Sequence, residues 1–257
     1  MMLVAASGAQ AKPSSGSSGT TGYDISYPQC GGAYPSSAAF GIIGVNGGLA
    51  NDANSCFSSE LTWAQATPGL SSPGQPGTSL YINTADPGPA VTDWPQTGSA
   101  TAAYGICTGS WSEACAYIYG EDRASYSYGL VSSGSSSVAA DAPWWLDIET
   151  GNSWATSATS GDTALNIAAI QGFIAGLQAA GATLPVGVYS TASQWSTITG
   201  LDVSTTPTDF PALNDWVAGA RSLHQAQGDC TNGGFTGVAP TLAQYHAGGF
   251  DADLRCG

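Results

Sequence analysis

Residues 144–149 read Trp-Trp-Leu-Asp-Ile-Glu, an apolar run that ends in two carboxylates. A continuous apolar run, with no polar residue at alternate positions, suits a strand covered on both faces, as in a parallel sheet under helices. Residues two apart on a strand point the same way, so Asp147 and Glu149 share one face. Similar runs recur outward along the chain, at 22–26 (GYDIS), 40–46 (FGIIGVN), 79–84 (SLYINT), 184–190 (LPVGVYS), 215–220 (DWVAGA), 241–245 (TLAQY) and 251–254 (DADL). Helical stretches lie between them. The clearest is 162–180, which opens on Asp162, carries Leu165, Ile167, Ala168, Ile170, Phe173, Ile174 and Leu177 near helical spacing, and stops at Gly181. Shorter helices are expected at 58–66 and 112–122, and the Ser132–Ser137 run (SSGSSS) reads as a surface loop. Strands alternating with helices indicate βαβ units. Eight strand candidates fit an α/β fold of the irregular (β/α)8, TIM-type barrel class, with some crossover helices short or absent near the end.

Composition narrows the function. The chain has 257 residues, with 18 Asp or Glu against 4 Lys or Arg, and a formal net charge of −14. Four basic residues (Lys12, Arg123, Arg221, Arg255) cannot neutralise a phosphate backbone, so nucleic acid is excluded as a partner. The same scarcity argues against anionic lipid surfaces, and no run of 18 apolar residues predicts a membrane span. With 42% hydrophobic residues the chain can bury a sizeable core. A single barrel domain is expected over 22–257, as a monomer.

Residues 1–21 fall outside that domain. The first eleven (MMLVAASGAQA) resemble the tail of a secretory signal, with small residues at Ala9 and Ala11, and 12–21 (KPSSGSSGTT) is a linker by composition. Six cysteines without metal-ligand spacing favour disulfides, hence a secreted, extracellular protein. Of the fifteen or so possible connectivities, the loops easiest to close pair Cys30 with Cys56, Cys107 with Cys115, and Cys230 with Cys256.

In such a barrel, chemistry gathers at the carboxyl ends of the strands. The acids there are Asp24, Asp147, Glu149 and Asp253, with Asp251 an adjacent rival to the last. A carboxylic acid beside further carboxylates is the equipment for cutting a glycosidic bond, one group protonating the leaving oxygen and another stabilising charge at the anomeric carbon. Tyr23, Asn46, Asn83, Trp154, Tyr189, Gln244 and Tyr245 are the expected substrate contacts. His224 and His246 have no catalytic arrangement around them and read as structural or surface residues. No cofactor motif occurs, and the carboxylates are not set in a metal-binding loop, so neither cofactor nor metal is expected.

The order Asp-Ile-Ser (24–26), Leu-Asp-Ile-Glu (146–149), Val-Gly-Val-Tyr-Ser (186–190), Trp-Val-Ala (216–218), Ala-Gln-Tyr (243–245) and Ala-Asp-Leu (252–254) resembles glycoside hydrolase family 25, the Chalaropsis-type lysozymes, in a divergent form. The resemblance covers most of 22–257 as scattered strand-end motifs, of which the Asp-x-Glu is the most specific. It implies an irregular (β/α) barrel in which Glu149 is the acid, Asp147 its companion, Asp24 the first-strand aspartate and Asp253 the aspartate near the chain end. The implied activity is hydrolysis of a poly- or oligosaccharide. The sequence departs from the family where a Lys-containing segment gives way to FGIIGVNGGL (40–49) and where Trp-Gln-Tyr becomes Ala243-Gln244-Tyr245. Shortage of positive charge argues against a muramidase working on an anionic wall. The competing expectation is a non-catalytic carbohydrate-binding or cell-surface protein on a decayed barrel.

Overall fold

The computed structural model describes residues 20–156, 162–202, 210 and 213–257. The expected signal remnant at 1–11, and the linker as far as residue 19, lie outside them. Eight strands close a barrel in chain order: β1 (Thr21–Ile25), β2 (Gly41–Gly44), β3 (Thr78–Asn83), β4 (Trp144–Asp147), β5 (Gly187–Ser190), β6 (Asn214–Ala220), β7 (Leu242–Ala247) and β8 (Phe250–Arg255). Every strand candidate from the sequence has a counterpart here. Neighbours from β1 to β7 run parallel, while β8 is antiparallel to both β7 and β1.

The antiparallel closure departs from a uniform βα repeat, and its cause is local. Only Gly248 and Gly249 separate β7 from β8, both at positive φ (63° and 86°). Two left-handed residues in a row make the tight turn whose twist matches a hairpin, and glycine adopts it without strain. A crossover helix has no room there. Between β1 and β2 a single 3-10 turn (Tyr27–Gln29) replaces the helix.

The remaining crossovers carry α1 (Phe57–Gln65), α2 (Glu113–Gly134) with α3 (Ser136–Asp141), α4 (Asp162–Ala180), α5 (Ala192–Thr199) and α6 (Leu223–Asn232). The serine-rich stretch 132–137, expected as a loop, instead ends α2 and starts α3. Serine is a modest helix former, but Ser132 and Ser133 turn their hydroxyls back onto the carbonyls of Gly129 and Leu130, and Ser135 caps α3 by accepting from the Val138 N–H. Packing supplies the rest. α2 lies along α4 with glycines at the crossing: a Cβ on Gly176 would come within 2.6 Å of the Glu121 carbonyl, and one on Gly120 within 2.7 Å of the Phe173 nitrogen. α4 is apolar and long enough to cross a membrane by composition, but half of it is buried in the protein, and it serves as a core helix.

Strand alternation sorts the barrel residues into layers. Outward-facing Ile43, Leu80, Ile82, Trp144, Leu146 and Val188 join the helices in the main core. Inside the barrel, Phe40, Ile42, Trp145, Trp216 and Leu242 form a lower plug, with Tyr81 and Tyr189 above it. The carboxylates stand on top of this plug, on an apolar floor. Cys30–Cys56, Cys107–Cys115 and Cys230–Cys256 are the disulfides, as loop closure predicts.

Candidate active site

A cleft of about 390 Å³ opens at the carboxyl ends of the strands and is lined by Asp24, Tyr27, Tyr81, Asn83, Asp147, Glu149, Asn152, Tyr189, Gln244 and Asp251, among others. Asp147 comes from the last position of β4. Glu149 follows two residues later, on the same face, and stands half-buried at the opening.

Each carboxyl is held by neighbours of identifiable origin. Asn83, at the end of β3, donates its side-chain N–H to Asp147 Oδ2 at 2.7 Å. Asn83 is itself fixed by its backbone N–H, which donates to Asn46 Oδ1 at 2.9 Å. Burial first, then the nearby charges of Glu149 and Asp24, push the Asp147 carboxyl well above the usual carboxylate range. Gln194, in the first turn of α5, donates to Glu149 Oε1 at 3.4 Å, while its own oxygen accepts from the Thr150 N–H at 2.6 Å. Trp154 braces the same residue from behind, its indole N–H donating to the Glu149 carbonyl at 3.0 Å.

On the opposite wall, Tyr189 donates its hydroxyl to Gln244 Oε1 at 2.8 Å, and Gln244 donates to Asp24 Oδ2 at 2.9 Å. Behind Asp24 lies Asp253, fully buried, with Oδ1 accepting from the Trp216 indole at 2.8 Å. Its second oxygen, Oδ2, is buried with no hydrogen-bond partner among the described residues. Burial and the Asp24 charge hold Asp253 well up. Burial and Asp251 raise Asp24 to about 7, against the lowering effect of the Gln244 hydrogen bond. Desolvation on an apolar floor therefore keeps protons in the cluster where an exposed carboxylate has none.

Of the residues expected at the site, the structure brings Asp24, Asp147, Glu149, Asn83, Tyr189 and Gln244 onto the cleft. Asp253 stands one layer deeper, and Asp251, its rival, lines the rim, where its carboxylate meets His246 Nδ1 at 2.9 Å. Four expected substrate contacts face elsewhere. Asn46 is buried and spends its amide on Asp52, Ser127 and Asn83. Trp154 is buried behind Glu149. Tyr23 packs edge-on to Phe250, and Tyr245 points out of the barrel into the cluster around Ala226. The last two follow from the period of two: Asp24 and Gln244 face in, so their neighbours Tyr23 and Tyr245 face out. Asn152 and Gln194 belong to the site or its support without having been singled out by sequence. Both sit on a loop or a helix start, where periodicity carries no direction.

No family model matches the chain. Over 105 residues it is 37% identical to "Probable GH family 25 lysozyme 4" of Dictyostelium discoideum, a match covering 41% of this chain and 42% of that protein. The aligned stretch thus spans about two fifths of the curated relative it matches. Among solved structures, a muramidase from Trichobolus zukalii superposes with a TM-score of 0.50 at 18% identity, covering 93% of this chain and 94% of that one. The modular autolysin LytC from Streptococcus pneumoniae, solved with a synthetic peptidoglycan ligand, superposes with a TM-score of 0.55 at 14% identity, covering 91% of this chain and 46% of that one. The chain has the barrel fold of these structures and, over that 105-residue stretch, sequence similarity to a probable family 25 lysozyme.

Proposed function

We propose that the protein is a secreted glycoside hydrolase that cuts the glycosidic bonds of a poly- or oligosaccharide, with Glu149 as the general acid and Asp147 and Asp24 assisting. The observation that carries this reading is the convergence of Asp24, Asp147 and Glu149 on one open cleft, on strands far apart in sequence. Carboxyl groups brought together over an apolar floor cost stability, and an active site is where such an arrangement is useful.

The chemistry follows from the geometry. Glu149, at the mouth, gives its proton to the bridging oxygen as the bond to the anomeric carbon breaks. Positive charge then develops on the sugar ring beside Asp24 and Asp147. On a 2-acetamido sugar, the substrate's own carbonyl oxygen attacks the anomeric carbon and Asp147, steadied by Asn83, orients that group. On other sugars, Asp24 or Asp147 supplies the nucleophile or activates water. Water completes the reaction, yielding a free reducing end and a hydroxyl on the leaving sugar. Among the described residues no Lys or Arg lines the cleft, which suits the uncharged backbone of a glycan over a phosphorylated one. Peptidoglycan is the first substrate to test, because a structural neighbour was solved with a peptidoglycan ligand. Three disulfides support an oxidising compartment.

Incubation with peptidoglycan and with neutral and acetylated glycans, followed by assay for new reducing ends, tests the proposal. Release by the wild type and its loss in Glu149→Gln are expected. Retention on a glycan without release, unchanged by that substitution, would instead fit a binding protein on an inactive barrel.

A further inference from the structure

Trp111 is the most exposed of the eight tryptophans, at 44%, whereas Trp94, Trp144, Trp145, Trp154, Trp195 and Trp216 are buried. Its setting is built from three sides. The indole N–H reaches both oxygens of Asp86, at 3.1 and 3.0 Å, and Asp86 is fully buried. The ring lies over Gly88, where a Cβ would fall 2.5, 2.7 and 2.9 Å from Cδ2, Cε2 and Cε3. Cδ2 and Cε2 are the fusion atoms at the middle of the indole, so the glycine meets a flat face and not an edge. The other face is therefore the exposed one. Finally, the loop that carries Trp111 is closed by the Cys107–Cys115 disulfide. An apolar ring this large is usually covered, and here a buried carboxylate, a glycine seat and a disulfide all hold it uncovered.

Its support adjoins a cavity beside the cleft. A second cavity, lined by Gly48, Leu49, Ala50, Asn83, Thr84, Ala85, Gly151, Asn152 and Ser153, shares Gly48, Asn83, Gly151 and Asn152 with the carboxylate cleft. Asp86 follows Ala85 directly, and its N–H donates to the Ser153 carbonyl at 2.7 Å. Trp111 is thus tied, through the buried Asp86, to Ala85 and Ser153 in the wall of that second cavity.

We propose that Trp111 is a distal sugar platform, stacking against the apolar face of a pyranose ring in a glycan chain that runs out of the cleft past this second cavity. The proposal rests on the glycosidase reading and extends it, since it makes the substrate a polymer long enough to reach past the second cavity. Trp111 binds and does not take part in bond cleavage. Asp86 is a positioning residue, holding the indole in the plane that a sugar face requires.

The test uses the intact chain with purified peptidoglycan sacculi. Trp111→Ala is expected to weaken retention on sacculi and turnover of the polymer roughly tenfold. Turnover of a tetrasaccharide fragment of the same glycan stays unchanged, and Trp111→Phe keeps most of the binding because a flat ring remains. Oxidative footprinting of the wild type adds a reading that needs no variant: Trp111 should be modified ahead of the buried tryptophans and be protected by sacculi. A ring that merely shields Asp86 would lower the melting temperature on truncation while leaving retention and protection unaltered, and that result overturns the platform. A wild type that binds and cuts sacculi but is indifferent to Trp111→Ala overturns the platform alone. A wild type that neither binds nor cuts any glycan overturns the glycosidase reading with it.

Discussion

Asp147 and Asp24 each accept a hydrogen bond from a side-chain amide on another strand, and the two amides have different consequences. Asn83 fixes the Asp147 carboxyl at 2.7 Å, so Asn83→Ala leaves that group free to turn. A loss of roughly ten- to a hundredfold in kcat is expected, with a smaller change in KM, read from steady-state kinetics on a soluble glycan. Gln244 stabilises the ionised form of Asp24. Replacement by Leu removes that donor, so the Asp24 carboxyl, already raised to about 7, moves higher. The acid limb of a kcat/KM profile that needs ionised Asp24 should then shift to higher pH, and an unmoved limb would assign that limb to another group. At this scale much of the site was legible in the sequence. Asp147 and Glu149 share a face because a strand has a period of two, and the same period exposes Gln244 and hides Tyr245. Asn152 and Gln194 were illegible because a loop or a helix start gives a side chain no fixed direction. Asp253 was found but placed too shallow, since alternation tells inside from outside and not how deep.

Among the elements, α2 and α4 form the tightest joint, and it is made by glycines. With backbone of the partner helix beneath Gly172 and Gly176, no side chain can be added without pushing the helices apart. Gly176→Val should therefore destabilise the protein by about 2–3 kcal/mol, measured by urea unfolding at constant m-value. Stability within about half a kcal/mol of the wild type would mean that the helices separate freely. The sequence shows α4 plainly, through its apolar spacing and the stop at Gly181. It shows only the first half of α2, because Ser and Gly dominate the rest and the helix there is held by its partner more than by propensity. The β7–β8 hairpin was hidden for a different reason: 241–245 and 251–254 read as two strands, and nothing in an apolar run states whether it is parallel to its neighbour.

For the molecule as a whole, the formal charge of −14 overstates what the folded protein carries near neutrality. Burial raises Asp86 and Asp215 to about 6 and Asp24 to about 7, and pushes Asp147 and Asp253 well above the usual carboxylate range. The unfolded chain loses those protons near a pH of about 4. Between that value and the folded values the native state binds more protons, so stability falls as pH rises through this window. The melting temperature should be higher at a pH of about 5 than at about 8, as differential scanning calorimetry will show. A melting temperature that rises across the same range would mean these carboxyls are ionised in the fold. The carboxyls that converge on the cleft are what the proposed hydrolysis needs, and the release of soluble fragments from purified sacculi tests it most directly. Wild-type protein should release reducing ends, and folded Glu149→Gln should release roughly a hundredfold fewer or none. Equal release by the two proteins would contradict the role of Glu149.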